Sequence, residues 1–570
     1  MKSIVAGLML MSGSVFAGSV YVWNGPNATD RSGSWEEAGN WLVGGVSATT
    51  YPGEISDTDE VWLTNGTYTV TMAESHTVLV FQAHRNGDYS PASTWATVTV
   101  DLGGKQLSVT KRLDVTCETY SWGANPSNPH IPLSVSFTHG VVSSPSEIAV
   151  QNNGGTATAY EKATGVGSGL AWGASYAARV RGLLGFTGED LTAYFNAMFL
   201  VSTHSRIYVA DGARVVVTNR VTLSGSNGTP SVMLHVTGEG SHFSCKQLYD
   251  HGYAGHTNIF ENGSVSSVGK FFMGMDQWGK GDGGYTIIRS GATLNLTNMS
   301  EDVFCNDQRD LRPMHVVLTG AGSKLTMAGN ANFWIQKKAN SPTNTLDVLD
   351  GAVFQGTTSD LLIVGSADGA NCDTGKNGDH VVTVSNATLS VGKLLVGPRF
   401  WDERGSGLGG WKYGASSNNV IRVEGRKGRV EISGTGRARQ NDYGEKGTAN
   451  LNYGTLLSFA VPVEGFAQVP FAVTNGTLQA AASQLIEGAP ACRLEIAARA
   501  WTRKNKGKAQ TLVMTAQDST AALQTLMDNV TFADFKDGDE LPTLSIETSG
   551  TQTSLVLTAP PPKGLMLLLR

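Results

Sequence analysis

The stretch HVVTVSNATLSVGKLLVG, His380 to Gly397, carries the pattern that decides the fold. Val382 and Val384 alternate with polar neighbours. Asn386-Ala-Thr-Leu makes a bend, Leu389-Ser-Val391 alternates again, and Leu394-Leu-Val396 runs into Gly397. Period-two alternation marks a strand with one buried face. Gly or Asn at the bend supplies the positive φ of a tight corner.

The phrase recurs from Ile207 to Ile432. Its corners are Gly212-Ala-Arg-Val, Gly240-Ser-His-Phe, Gly291-Ala-Thr-Leu, Gly322-Ser-Lys-Leu and Gly351-Ala-Val-Phe, with a weaker copy at Gly263-Ser-Val. From Gly212 to Asn386 the steps are 28, 23, 28, 31, 29 and 35 residues. Each copy holds three short strands, and none can bury its apolar side alone. Stacked at about 4.8 Å, the copies pair each other's backbones. The expected fold is all-β: a right-handed three-sided parallel β-helix. A propeller blade needs ~40 residues, and the shortest step falls well below that. The run from Thr97 to Val115 repeats the phrase around Gly104, so the stack starts before Ile207.

The reading divides the chain as follows. Residues 1–17 are a signal peptide, with the apolar run Ile4 to Met11 and small residues Val15 and Ala17 before the cleavage point. Residues 18–95 form an N-terminal cap, 96–150 the first rungs, and 151–205 an insertion. Tyr176 to Phe199 in that insertion reads as one or two short helices, starting at Thr187 or Gly188. Residues 206–440 are the repeats. Residues 441–559 read as a separate β-rich end domain with one helix near Ser519 to Met527, and 560–570 as a tail.

Composition narrows the function. Charged residues make up only 16% and 69 residues are glycine, which suits an exported β repeat protein. Net charge is −6 with no long basic run, so nucleic acid is not an expected partner. No stretch reaches the ~18 apolar residues of a membrane span. Cys117, Cys245, Cys305, Cys372 and Cys492 are scattered without a C-x-x-C pair, as expected of buried small residues with at most one or two disulfides.

The N-terminal segment adds a resemblance. Val22-Trp-Asn-Gly25, Gly33-Ser-Trp35, Asn40-Trp41, Pro52 and Asp59-Glu-Val-Trp62 follow one another. This resembles the opening of large secreted bacterial proteins with autotransporter-type β-strand repeats. It implies a passenger-like β-helix that displays loops at the cell surface, often for adhesion. Such chains also carry a translocating barrel, and the 130 residues after 440 are too few for one. The tryptophans read as bulky caps over the open end of the stack, with a sugar-binding platform as the alternative.

Long insertions follow the third run of several copies and should emerge on one edge. They place Asp250, His251, His256, Asp276, Trp278, Asp282, Trp401, Asp402, Glu403 and Trp411 there. Trp278, Trp401, Trp411, Asp250 and His256 are candidates for ligand binding. Asp402, Glu403 and His251 are the candidates if the stack is an enzyme that cleaves acidic polysaccharides. Asp402 and Glu403 are adjacent, and neighbours on a strand point to opposite faces, which weakens them as a pair. No nucleophile elbow, P-loop or zinc motif occurs, so no cofactor is expected. The oxygen-rich stretch Asp368 to Asp379 fits a solvated turn better than calcium, and no metal is expected. The leading expectation is an exported structural or adhesive surface protein whose partner is an extracellular glycan or cell-surface component. A polysaccharide-degrading enzyme and a non-catalytic glycan-binding protein are the alternatives.

Overall fold

The computed structural model describes residues 18–562 apart from 86–95, 118–132, 145–177, 202–205, 226–231, 253–255, 274–283, 299–301, 307–312, 336–343, 365–379, 397–419, 433–457, 460–468, 481–491, 516–519 and shorter gaps of one or two residues. The expected signal peptide lies outside the described residues, as does the tail beyond Pro562.

The chain is a parallel β-helix with three strands per rung, which define faces A, B and C. On face A, Val135, Leu184, Ile207, Leu234, Asn258, Thr286, Val316, Leu346, Val382 and Ile421 pair in unbroken parallel register. Face B aligns Ala193, Val215, Phe243, Ser266, Leu294, Leu325, Phe354 and Leu389 in the same way. Face C aligns Met198, Val221, Leu248, Phe271, Phe304, Phe333, Leu362 and Leu394. The alternation seen in the sequence is thus the alternation of lumen and outside. On face C two outward positions, Thr222 and Trp334, are fully buried as well.

Every corner glycine of the phrase lies between faces A and B with positive φ, from +78° at Gly263 to +86° at Gly212, and Asn386 sits at +49°. Two turn types serve the corner. Asp211-Gly212, Asn262-Gly263, Ser290-Gly291 and Asp350-Gly351 place both central residues at positive φ. Gly238-Glu-Gly240 and Gly320-Ala-Gly322 close a turn with only its second central residue, Gly240 or Gly322, at positive φ. Two of the serines that follow the glycine have their own reason. Gly212 N–H donates to Ser241 Oγ in the next rung, and Gly291 N–H to Ser323 Oγ, each at 3.0 Å.

Parallel stacking begins earlier than expected. Val20–Trp23 pairs with Glu60–Leu63, inside the presumed cap. What covers the end is the antiparallel hairpin Trp41–Val43 and Val46–Ser47, which also pairs with Val20–Trp23. Trp23, Trp35 and Trp41 are buried in a knot, with Trp41 centred 4.8 Å from Trp23 and 5.1 Å from Trp35. Their indole N–H groups donate to the carbonyls of Arg31, Pro52 and Trp35. These three rings are core and not a sugar platform.

Two expectations are corrected. The helices expected from Tyr176 to Phe199 are absent from the described residues. Those residues form strands Ala178–Arg181, Leu183–Thr187, Thr192–Phe195 and Met198–Val201, all in parallel register with the stack. Short apolar runs do not distinguish helix from strand by period alone, and here the ladder decides. The stack also does not end at 440. Val420–Glu424 pairs with Val469–Thr474, which pairs with Cys492–Ile496 and then with Val530–Phe532. The antiparallel hairpin Thr543–Ser549 and Gln552–Thr558 closes it against Ala509–Thr515. Helices α1 (Arg499–Lys504) and α2 (Thr520–Asp528) belong to this end, and α2 matches the expected one. Asp539 ties α1 down through Arg499 and Arg503, and the bonds from Arg499, the Lys536 backbone N–H and Arg503, in that order, hold its carboxyl well below the usual range.

Candidate functional site

Residues 145–177 and 433–457 fall between a face B and a face C strand, but the four insertions singled out in the sequence share another corner. They connect the end of a face C strand to the start of the next face A strand, as at 252 to 257, 273 to 285, 364 to 381 and 396 to 420. The strand ends that bear them stack in register, with Asp250 beside Met273 and Val364 beside Val396. Asp250 and His251 lie at the end of strand His242–Gly252, on this edge. Trp278, Trp401, Asp402, Glu403 and Trp411 lie in segments outside the described residues.

His256 is the exception. It precedes strand Thr257–Glu261 and is 4% exposed, so it is turned into the stack and not displayed for a ligand. A position in a long insertion does not fix which way a side chain turns. The corner's own packing draws His256 inward.

It belongs to a column that sequence reading missed. The residues preceding successive face A strands are Val232, His256, Gly284, Met314, Asn344 and His380. From Gly284 onward, the side chain of one rung accepts the backbone N–H of the rung before it. Gly284 N–H donates to Met314 Sδ at 3.1 Å, Met314 N–H to Asn344 Oδ1 at 2.8 Å, and Asn344 N–H to His380 Nδ1 at 3.2 Å. These N–H groups face inward at the corner and would be stranded without an acceptor. Nδ1 accepts, so His380 is neutral with its proton on Nε2. Burial holds its pKa down at about 3. The loops therefore spring from a corner locked by polar side chains.

Beside that edge, face A turns an amphipathic strip outward. Tyr285 is 43% exposed and stacks on His315, with ring centres 4.8 Å apart. His315 Nδ1 meets Thr345 Oγ1 at 2.9 Å. Burial lowers the His315 pKa, against the pull of Asp347. Further along, Tyr208 lies edge-on to His235, and His235 Nε2 meets Glu261 at 2.8 Å. Facing a carboxylate, that nitrogen donates. The other Glu261 oxygen takes Arg289 at 2.6 Å. Burial works to raise the Glu261 pKa, but the bonds from His235 and Arg289 outweigh it and keep the group below its usual range. Burial, then the charges of Asp211 and Glu261, raise the Tyr208 pKa. The strip offers rings, hydroxyls and imidazoles, and its main carboxylate is already engaged by His235 and Arg289.

Among the described residues no group of three or more His, Cys, Asp or Glu is placed to hold a metal ion. Cys245 is free and buried in the lumen, and burial pushes its thiol pKa far up, so it is inert packing. No described helix is long and apolar enough to cross a membrane.

No family model, curated protein or solved structure matches this chain. The autotransporter-type resemblance therefore rests on the N-terminal motif and the repeats. The parallel β-helix is what the structure adds to it.

Proposed function

We propose that this chain is an exported structural or adhesive surface protein, an autotransporter-like β-helix that presents loops along one edge without catalysis. One observation carries the reading: four insertions of different length, 253–255, 274–283, 365–379 and 397–419, leave the stack at the same corner, between faces C and A. A rigid ladder with variable segments at one edge is the arrangement of a display scaffold. The polar column at that corner supports it, because it fixes where each loop departs. The apolar segment before Gly18 supports export through a signal peptide.

The test is cell attachment with purified chain, comparing wild type with variants in which 274–283 and 397–419 are replaced by short Gly-Ser linkers. Attachment that depends on those segments is expected. Equal attachment by both defeats the reading. Turnover in a glycan depolymerisation screen, lost in Asp402→Ala or His251→Ala, replaces it with an enzyme.

A second reading, a non-catalytic glycan-binding protein, is favoured by Tyr285. An exposed ring next to the segment bearing Trp278 offers a stacking surface for a sugar. It predicts glycan-array binding that falls in Tyr285→Ala and Trp401→Ala. Binding unchanged in both variants removes it.

A further inference from the structure

Among the described residues the lumen between Ile207 and Leu294 is mostly apolar, and the rung of Asn258 departs from that most. The inward column of face A reads Ile207, Leu234, Asn258, Thr286 and Val316. The inward column of face B reads Val215, Phe243, Ser266 and Leu294. Asn258 and Ser266 share a rung and are both fully buried. Where the rung before has a leucine and a phenylalanine, this rung has an amide and a hydroxyl. It gives up side-chain volume and gains polar atoms at the same level.

Among the described residues nothing satisfies those atoms. An asparagine amide offers one acceptor oxygen and two donors, and neither Oδ1 nor Nδ2 of Asn258 has a hydrogen-bond partner. Ser266 Oγ has none either. Thr286, the next polar residue in the column, is engaged by Met273 Sδ at 3.4 Å. Native interiors rarely leave such groups bare, and buried water with about three hydrogen bonds is the usual remedy. The other inward side chains of these strands, Phe260, Val268, Phe271 and Met273, are apolar and offer the two groups no polar partner, while the buried His256 sits at the corner just before the rung.

We infer that the rung of Asn258 holds an internal water-binding site, in which ordered water inside the lumen satisfies the Asn258 amide and the Ser266 hydroxyl. In the chain the rung lies between residues 253–255 and 274–283. The inference rests on the fold alone and does not depend on the adhesive reading.

The test is a crystal structure of the full chain at a resolution that shows ordered solvent, with thermal midpoints for Asn258→Leu and for Asn258→Leu combined with Ser266→Val. Ordered density within hydrogen-bond distance of Asn258 is expected. Asn258→Leu should melt below wild type, because the water loses its main partner, and the second substitution should restore part of the loss. A lumen without solvent density at this level, or Asn258→Leu melting above wild type, overturns the inference.

Discussion

The backbone N–H of Asn344 donates to Nδ1 of His380 one rung further along, 3.2 Å away inside the corner that bears the loops. The bond requires a neutral imidazole. In the folded chain burial holds the His380 pKa at about 3, from an ordinary value of 6.5. Between those values the unfolded chain binds the extra proton, so stability is full above pH 6.5 and declines as the pH falls toward 3. The slope for this group is about 1.4 kcal/mol per pH unit. His242 and His315 are also lowered by burial and act in the same direction. His380→Asn keeps an acceptor and loses the titration. Urea midpoints between pH 6.5 and 4.5 should fall less steeply in that variant. An unchanged slope would show that His380 does not govern the acid response.

Gly212 and Gly240 are both left-handed corners, yet their substitution should cost different amounts. A Cβ on Gly240 meets only Gly212 Cα at 3.4 Å, which leaves the φ penalty of about 1–2 kcal/mol. A Cβ on Gly212 also meets Glu189 Cγ at 2.7 Å and Glu189 Cα at 3.0 Å. Gly212→Ala should therefore lower stability more than Gly240→Ala in denaturant unfolding. The reverse order would mean that the rungs adjust freely at this corner.

Trp41 is packed edge-on against both Trp23 and Trp35 and is fully buried. Trp41→Ala should cost about 3–5 kcal/mol, the range for an emptied aromatic core site. The loss should appear in thermal unfolding together with a reduced near-UV circular dichroism signal. A loss below about 1 kcal/mol would be the size of an ordinary surface change and would contradict the cap's role.

Glu261 accepts from His235 in the preceding rung and Arg289 in the following one. Its pKa is lowered in the folded chain, so its contribution is present above the usual carboxylate range and fades as the pH falls through the folded value. Arg289 is about half exposed, which screens the pair. Glu261→Gln should cost roughly 1 kcal/mol near neutral pH, and the difference from wild type should shrink in acid. A difference that grows in acid would contradict the assignment.

The fold was largely legible because its defining constraint is local. Gly212, Gly240, Gly263, Gly291, Gly322, Gly351 and Asn386 all take the positive φ expected of them. The strands around them alternate as the sequence alternates. The reading failed where a copy loses its alternation, as between Tyr176 and Phe199, and where insertions separate the strands, as beyond Ile432. The strip on face A was not legible at all. His235 and Glu261 are 26 residues apart, and Glu261 and Arg289 are 28 apart. Steps between corners vary, so no fixed spacing marks a pair that meets across rungs. Nor did the sequence reveal that His256 turns inward, since only the stacking of Gly284, Met314 and Asn344 exposes that corner as a column.

The tryptophan knot at the first rungs has a consequence for how the chain is made. A polypeptide emerges from synthesis with its amino end leading, so the knot, which Tyr68 and His76 of the next strands help to cover, is made before the coils that follow it. Each subsequent coil finds a finished template below it and touches little else. The molecule can therefore assemble in the order in which it is produced, like thread wound onto a spool already fixed at its base.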